Sequence, residues 1–195
     1  MLSLLLVIIS LFTLTTAQVF TLKTFNPGAP LNGQKIHASG QAFYLGLDGP
    51  NTYCPSKVDP NCPSPTDTIV AGALSAMWVE VPGGQQTFVR SEGSIGYTQA
   101  HSTSVPAGAH RGGFVNVIVD SDCSEDVNIF TWKAPDGSAE GILACPDVPS
   151  YMENIATFII YVRTPEFNLT DCVELQGLEA TIWLNPAPYG AWQYV

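Results

Sequence analysis

Hydrophobic and polar residues alternate over short stretches along most of the chain after residue 17. A period of two places every second side chain on one face, which is typical of half-buried β-strands. In residues 113–120, Val115, Val117 and Val119 share one face of such a strand. Residues 156–162 are almost continuously apolar and predict a strand that is buried on both faces. Further predicted strands include residues 41–47, 75–81, 86–90, 95–98, 128–133 and 178–184, and the Cys-Pro pairs at residues 54–55 and 145–146 each mark the end of another.

Glycine and proline punctuate these stretches, with 17 and 15 copies respectively. Residues 82–85, Pro-Gly-Gly-Gln, predict a hairpin turn between two of the strands. So many helix-breaking residues leave little room for long helices. Residues 68–77 are the one stretch with a helix-like pattern, but Gly72 and the β-branched residues at its start favour a strand there.

About nine or ten short strands with turn residues between them predict an all-β fold. We expect a single-domain antiparallel sandwich or barrel over residues 18–195, stapled by disulfides, with a trefoil-like barrel as the alternative. The length suits one domain with a sizeable core.

Residues 1–17 are a mostly apolar run without a charged side chain, and the run ends in Thr-Thr-Ala. This layout predicts a secretory signal peptide that is cleaved between Ala17 and Gln18. The alternative interpretation is a buried N-terminal strand or helix. Since the run is short for a membrane span and no second such run follows, we expect a secreted chain without a membrane span.

The net charge of −10 at pH 7 argues against two classes of partner. Nucleic-acid binding requires clustered Lys and Arg, and so does docking on anionic lipid. We therefore expect neither partner. The sequence leaves the oligomeric state open.

Export to an oxidising compartment makes the five cysteines disulfide candidates before they are metal ligands. Cys54 and Cys62 flank a Pro- and Asp-containing loop and are paired on proximity. Cys145 has two candidate partners, Cys172 and Cys123. Two bridges leave one cysteine over.

The sequence contains no clear catalytic or metal-binding motif. The chain has no Gly-x-Ser-x-Gly nucleophile motif, and His37, His101 and His110 lie among small polar residues that favour surface or hydrogen-bonding roles. Residues 120–126 resemble the start of a calcium loop but have Glu125 where glycine is required. We expect no catalytic residue, no metal site and no cofactor. Asn168, in Asn-Leu-Thr, is the predicted N-glycosylation site.

Aromatic side chains offer one further possibility, because they can stack on sugar rings. In a β-protein most of them are more simply explained as core or strand-face residues. The candidates are Trp78, Trp132, Trp183, Trp192 and Tyr189.

Several sequence blocks resemble one fungal family, the small secreted IgE-binding proteins and the related phialide cell-wall proteins of PhiA type. The blocks are residues 37–46, 53–55, 79–86, 93–102, 144–146 and 171–172. The Gly-x-Ile-Gly-Tyr-Thr and Ala-Cys-Pro blocks are the most telling. The resemblance covers about residues 36–172, and the tail from Trp183 onward lies outside it.

The resemblance implies an extracellular or cell-wall protein of a filamentous fungus, related to allergens and to proteins linked to the development of phialides and conidia. No enzymatic activity is established for that family, so no catalytic residue is carried over. Cys145 and Cys172 match family blocks, whereas Cys123 matches none. We therefore expect a Cys145–Cys172 bridge and a free, partly buried Cys123.

The expected function is accordingly non-catalytic, at the fungal wall or in the matrix, with wall polysaccharide as the candidate partner. The alternative is a carbohydrate-binding module. A secreted hydrolase with an unrecognised pair of carboxylates ranks third, because sequence cannot select such a pair among 17 acidic residues.

Overall fold

A computed structural model describes residues 18–120, 125–147, 157–184 and 189–195, and every described residue lies in a strand, turn or loop. The strands are β1 (Val19–Phe25), β2 (His37–Ser39), β3 (Ala42–Leu45), β4 (Thr52–Tyr53), β5 (Ile69–Ala71), β6 (Ala76–Met77), β7 (Gln85–Val89), β8 (Ile95–Tyr97), β9 (Phe114–Val119), β10 (Val127–Trp132), β11 (Ile142–Pro146), β12 (Phe158–Val162), β13 (Val173–Leu175), β14 (Gly177–Ile182) and β15 (Gln193–Tyr194). The helix-like stretch 68–77 forms β5 and β6, as its Gly72 and β-branched start predict.

Thirteen strands form one antiparallel sheet in the order β13-β11-β12-β3-β8-β7-β6-β5-β1-β14-β10-β9, with β2 paired to β3. β4 and β15 form a separate two-stranded sheet. The predicted antiparallel all-β fold is therefore confirmed. Because β13 and β9 end the order without pairing to each other, the sheet does not close, and neither the barrel nor the trefoil-like barrel is formed.

One hydrophobic core lies between the two halves of the sheet, which meet at β7. Phe20 of β1 and Phe130 of β10 meet edge to face in it, with ring centroids 5.7 Å apart. From the other half, Phe43 meets Tyr97 in the same manner, also at 5.7 Å. Trp132, 1% exposed, is the largest fully buried side chain. Packing of this kind, rather than local propensity, fixes which face of each strand turns inward.

The hairpin turn predicted at residues 82–85 is present. Gly83 and Gly84 have φ of 89° and 64°, values that a residue with a side chain rarely adopts. The Gly84 N–H donates to the Val81 carbonyl at 2.9 Å. Gln85, however, belongs to β7 rather than to the turn, and its side chain is fully buried.

Both predicted disulfides are confirmed. Cys54–Cys62 closes the loop after β4, and Cys145–Cys172 joins β11 to the residue just before β13. In the second bridge the Cα atoms are 4.2 Å apart. It continues the β11–β13 register, in which Ala144 lies opposite Val173.

Candidate functional site

A cleft of about 250 Å³ opens where the loop before β5 approaches the end of β14. Its lining combines two aromatic rings with proline, hydroxyl and carboxylate groups. The lining residues are Pro63, Ser64, Pro65, Thr66, Asp67, Ile69, Trp183, Tyr189 and Gly190. Residues 185–188, which connect Trp183 to Tyr189, lie outside the described residues.

Backbone hydrogen bonds hold the two half-buried aromatic residues at the cleft. The Trp183 N–H donates to the Val19 carbonyl at 2.9 Å, which extends the β1–β14 pairing by one residue. The N–H of Gly190, next to Tyr189, donates to the Trp78 carbonyl at 2.9 Å. The backbone that carries each aromatic side chain is thus hydrogen-bonded to neighbouring main chain at the cleft.

Gly190 is required by close packing under the cleft. A Cβ at this position would lie 2.6 Å from Cγ1 of Ile69 and 2.9 Å from the Tyr194 hydroxyl. That hydroxyl in turn accepts the Ile69 N–H at 2.9 Å. Only glycine lets the C-terminal segment approach β5 this closely.

Asp67 is the acidic residue that lines the cleft. Its carboxylate accepts from the Lys35 ammonium at 2.7 Å and from the Thr66 hydroxyl at 2.9 Å. Burial by itself raises the pKa of Asp67. The hydrogen bonds from Lys35 and Thr66, together with the charges of Lys35 and His37, outweigh burial, and the pKa lies below its ordinary value. The group is therefore an ionised hydrogen-bond acceptor at neutral pH and is poorly suited to act as a general acid.

The Tyr189 hydroxyl lies beside two carboxylates, those of Glu80 and Asp59, and its single proton is donated to one of them at a time. A side-chain hydrogen bond with Glu80 is the main cause that raises the pKa of Tyr189, and burial and the charge of Asp59 add to it. Its hydroxyl donates to Asp59 Oδ2 at 3.2 Å. Since Asp59 lies within the loop closed by Cys54–Cys62, that bridge also helps to position the tyrosine.

One buried side chain, that of Gln85, helps to anchor the C-terminal segment that carries Tyr189. The Gln85 amide donates to the carbonyls of Thr98 and Tyr194 at 2.9 Å and 3.0 Å. Its oxygen accepts the Tyr194 N–H at 2.8 Å. Three buried backbone groups thus depend on Gln85, and two of them belong to β15.

Comparison with known proteins places the chain in a family. The model of the PhiA-like secreted proteins matches residues 20–195. The chain belongs to the PhiA-like secreted protein family. It is 36% identical over 159 residues to an "Uncharacterized secreted protein" of Arthroderma benhamiae, which covers 82% of this chain and 76% of that protein. No solved structure matches.

Membership of this family confirms the resemblance and the prediction of secretion. The family match also corrects the expected extent of the resemblance, because it includes the tail from Trp183 onward. The cleft residues Trp183 and Tyr189 and strand β15 therefore lie within the part of the chain that the family model matches. No helix among the described residues is long and apolar enough to cross a membrane.

Of the five aromatic candidates, the structure brings Trp183 and Tyr189 together at the cleft. Trp132 is a core residue whose indole N–H donates to the Gly112 carbonyl at 3.2 Å. Trp78 and Trp192 are half-buried beside the C-terminal segment and do not line the cleft.

The predicted processing and modification sites are only partly within the described residues. Asn168 is exposed beside an open cavity of about 570 Å³ next to Cys145–Cys172, a position that leaves room for a glycan. Gln18 is exposed, whereas Ala17 lies outside the described residues. Cys123 also lies outside them, so its predicted free thiol stays a prediction.

A metal-like grouping among the described residues consists of Cys54, Asp59 and Cys62. The two sulfurs are bonded to each other, so they are not thiolate ligands in this structure. Of the predicted calcium-like loop, residues 121–124 lie outside the described residues, and Glu125 and Asp126 are exposed.

His37 is a buried polar residue whose burial the sequence did not predict. A surface or hydrogen-bonding role was expected, but the side chain is 2% exposed and its Nδ1 has no hydrogen-bond partner among the described residues. Burial lowers the pKa of His37 below 6.5. The charge of Lys35 lowers it further, whereas the charges of Asp67 and Asp48 raise it and only partly offset burial. The short polar β2 gave no sign of this burial.

We expect His37 to make the free energy of unfolding depend on pH. The unfolded chain takes up a proton near pH 6.5, while the folded chain keeps the imidazole neutral to lower pH. The stabilisation is therefore complete above the unfolded pKa and is lost as the pH falls through the folded pKa. Chemical denaturation of the wild type between pH 7 and pH 5 should show this loss, and His37→Gln should lessen the slope.

Other groups that titrate in the same interval act equally in both proteins, so the difference between the two curves isolates His37. Identical slopes for the wild type and His37→Gln would contradict the prediction.

Proposed function

We propose that this chain is a non-catalytic protein of the fungal wall or extracellular matrix that holds neutral wall polysaccharide in the Trp183–Tyr189 cleft. The observation that carries the proposal is the pairing of two aromatic rings with hydroxyl and carboxylate acceptors in one open cleft. Aromatic faces offer apolar contact to sugar rings, and the polar groups fix their orientation. Secretion, which the family shows, supports the proposal because a secreted protein can meet polymers outside the cell.

The charges around the cleft support binding without turnover. Glycoside hydrolysis needs one protonated carboxylic acid with a raised pKa facing a second carboxylate. Asp67 is held ionised by Lys35 instead, and Asp59 accepts from Tyr189. Because the polymer is neutral, we expect binding to depend little on salt.

The resemblance to phialide proteins supports a more specific setting, the walls of the cells that bear asexual spores. The two disulfides suit that setting, because bridges persist and stabilise folds in the oxidising space outside the cell. Abundance outside the cell is also the property that the resemblance to IgE-binding allergens implies.

Trp183→Ala is expected to weaken retention on insoluble glucan or chitin by about tenfold, since stacking of this kind contributes on the order of 1 kcal/mol or more. Tyr189→Ala should act in the same direction, whereas Tyr189→Phe keeps the ring, loses only the hydroxyl that orients it, and should weaken retention less than Tyr189→Ala does. Depletion of the purified protein by each polysaccharide at low and high salt measures this.

The matched control is Tyr53→Ala, which removes a tyrosine that is 53% exposed and does not line the cleft. Equal weakening by Tyr53→Ala, or no retention of the wild type on any wall polysaccharide, would contradict a binding role for the cleft. Release of soluble sugar that disappears in Asp67→Asn would instead show an enzyme.

A further inference from the structure

β9 lies at one end of the sheet and is exposed over most of its length. It pairs with β10 on one side, and no strand among the described residues pairs with its other side. Of its side chains, Phe114 alone is buried. Val115 is 53%, Val117 39% and Ile118 61% exposed, although Val115 and Val117 lie on one face and Ile118 on the other. Most side chains on both faces of β9 are therefore exposed, and within the part of the chain that the structure describes its second edge has no partner strand.

The uncovered edge lacks the features that normally prevent strands from pairing between molecules. Natural edge strands carry charged side chains, proline or bulges for that purpose. Residues 112–119, Gly-Gly-Phe-Val-Asn-Val-Ile-Val, contain no charge and no proline. The register with β10 runs over six consecutive pairs without a bulge.

Charged residues stand at the two ends of this neutral stretch and have opposite signs. Arg111 precedes it and Asp120 follows it, and both are exposed. The Arg111 guanidinium donates to the Gln86 side-chain oxygen and to the Thr103 carbonyl, so its positive charge is held near the start of β9. An antiparallel partner of the same sequence brings this positive end of one copy near the negative end of the other. A parallel partner brings like charges together, which is unfavourable.

We propose that β9 is a self-association edge, at which two copies of this chain pair their β9 strands antiparallel about a two-fold axis near Asn116. In this register Val115 of each copy lies opposite Val117 of the other on one face, and Phe114 lies opposite Ile118 on the other face. The interface is thus self-complementary, as a two-fold contact requires. Main-chain hydrogen bonds between the edges and burial of the exposed valines and isoleucines stabilise it.

A groove of about 390 Å³ borders the strand at Val115, where β10 turns into β11. Its lining includes the charged residues Lys133 and Glu140. Trp132, Ile142 and Leu175 also line it but are already buried in the core. The apolar surface that a second copy would cover is therefore that of Val115, Val117 and Ile118.

The test is sedimentation velocity of the purified secreted protein over a wide concentration range. A monomer–dimer equilibrium is expected for the wild type. Asn116→Lys places two lysines opposite each other at the axis, removes no apolar contact and should weaken the dimer by about tenfold or more. Val117→Lys should do the same by replacing apolar contacts with charge. Asp120→Lys should also weaken the dimer, because it sets a cation against Arg111.

Val58→Lys is the matched control, since Val58 is 69% exposed in the loop after β4 and lies outside β9. It should dimerise like the wild type, and thermal melts should show that all variants fold. A wild type that stays monomeric at its highest soluble concentration would overturn the proposal. So would a dimer that Asn116→Lys and Val117→Lys leave intact, or one that Val58→Lys weakens equally.

Discussion

Gln85→Leu is expected to lower the free energy of unfolding by on the order of 3 kcal/mol, because it leaves three buried backbone groups without their partner. Those groups are the carbonyls of Thr98 and Tyr194 and the N–H of Tyr194. Leucine has a similar volume, so the loss comes from hydrogen bonds rather than from a cavity. For a chain of this size the melting temperature should fall by about 10 °C. Thermal and urea denaturation measure both quantities.

The neighbouring Gln86→Leu is the control for this prediction. Gln86 carries the same side chain on the opposite face of β7, where it is half-buried and accepts from Arg111. We expect its replacement to cost well under half as much as the replacement of Gln85. If the two variants have equal stability, Gln85 does not anchor the C-terminal segment.

The same anchor connects stability to the cleft. β15 follows directly on the segment that holds Tyr189 and Gly190, and Gly190 packs against Ile69 and Tyr194. Loosening of β15 by Gln85→Leu should therefore also weaken retention on polysaccharide, although Gln85 does not line the cleft.

Local patterns predicted the bounds of eight strand segments but did not single out other strands, among them β1, and long-range partners decided how each strand is buried. Residues 128–133 were predicted as a strand and form β10 with a shift of one residue. Residues 156–162 were predicted to be buried on both faces. In β12, Ile160 and Val162 face the core, whereas Tyr161 is half-buried on the outer side against the Phe167 ring, at 6.0 Å between centroids.

β9 shows the limit of this reasoning most clearly. Its valines alternate as in a half-buried strand, yet the structure leaves Val115 and Val117 exposed. Alternation shows that a strand has a face suited to burial, but it does not show whether another element covers that face. Here β9 is the last strand of the sheet, and the proposed second copy supplies the missing cover.

The candidate site was visible in the sequence only as residue types. Trp183 and Tyr189 were among the aromatics considered for stacking, but nothing nearby in sequence connects them to Asp67. The contact depends on β1 pairing with both β5 and β14, over a separation of more than a hundred residues. Gln85 and His37 were missed for a related reason, since a polar residue among polar neighbours gives no sign that distant strands enclose it.

Removal of the Cys145–Cys172 bridge by Cys145→Ala and Cys172→Ala is expected to lower the free energy of unfolding by about 3.5 kcal/mol, according to the dependence of loop-closure entropy on loop length. The bridge closes a separation of 27 residues, whereas Cys54–Cys62 closes a separation of 8. The corresponding double alanine variant of the shorter bridge should therefore lose only about 2.5 kcal/mol. Both cysteines of a pair are replaced together, so that neither remains to exchange with Cys123.

Cys145–Cys172 also has a local role, because it attaches β13 to β11. Local measurements on β13 can therefore distinguish this attachment from the effect of the bridge on the entropy of the unfolded chain. Among the described strands β13 pairs only with β11, and Cys145–Cys172 covalently continues that short register at its end. Without the bridge, the amides of β13 should exchange with solvent faster than those of β14, which is paired on both sides. Hydrogen exchange on the two double variants provides the measurement. Equal protection of β13 with and without the long bridge, together with equal stability losses for the two bridges, would show that neither loop length nor strand attachment sets the contribution of Cys145–Cys172.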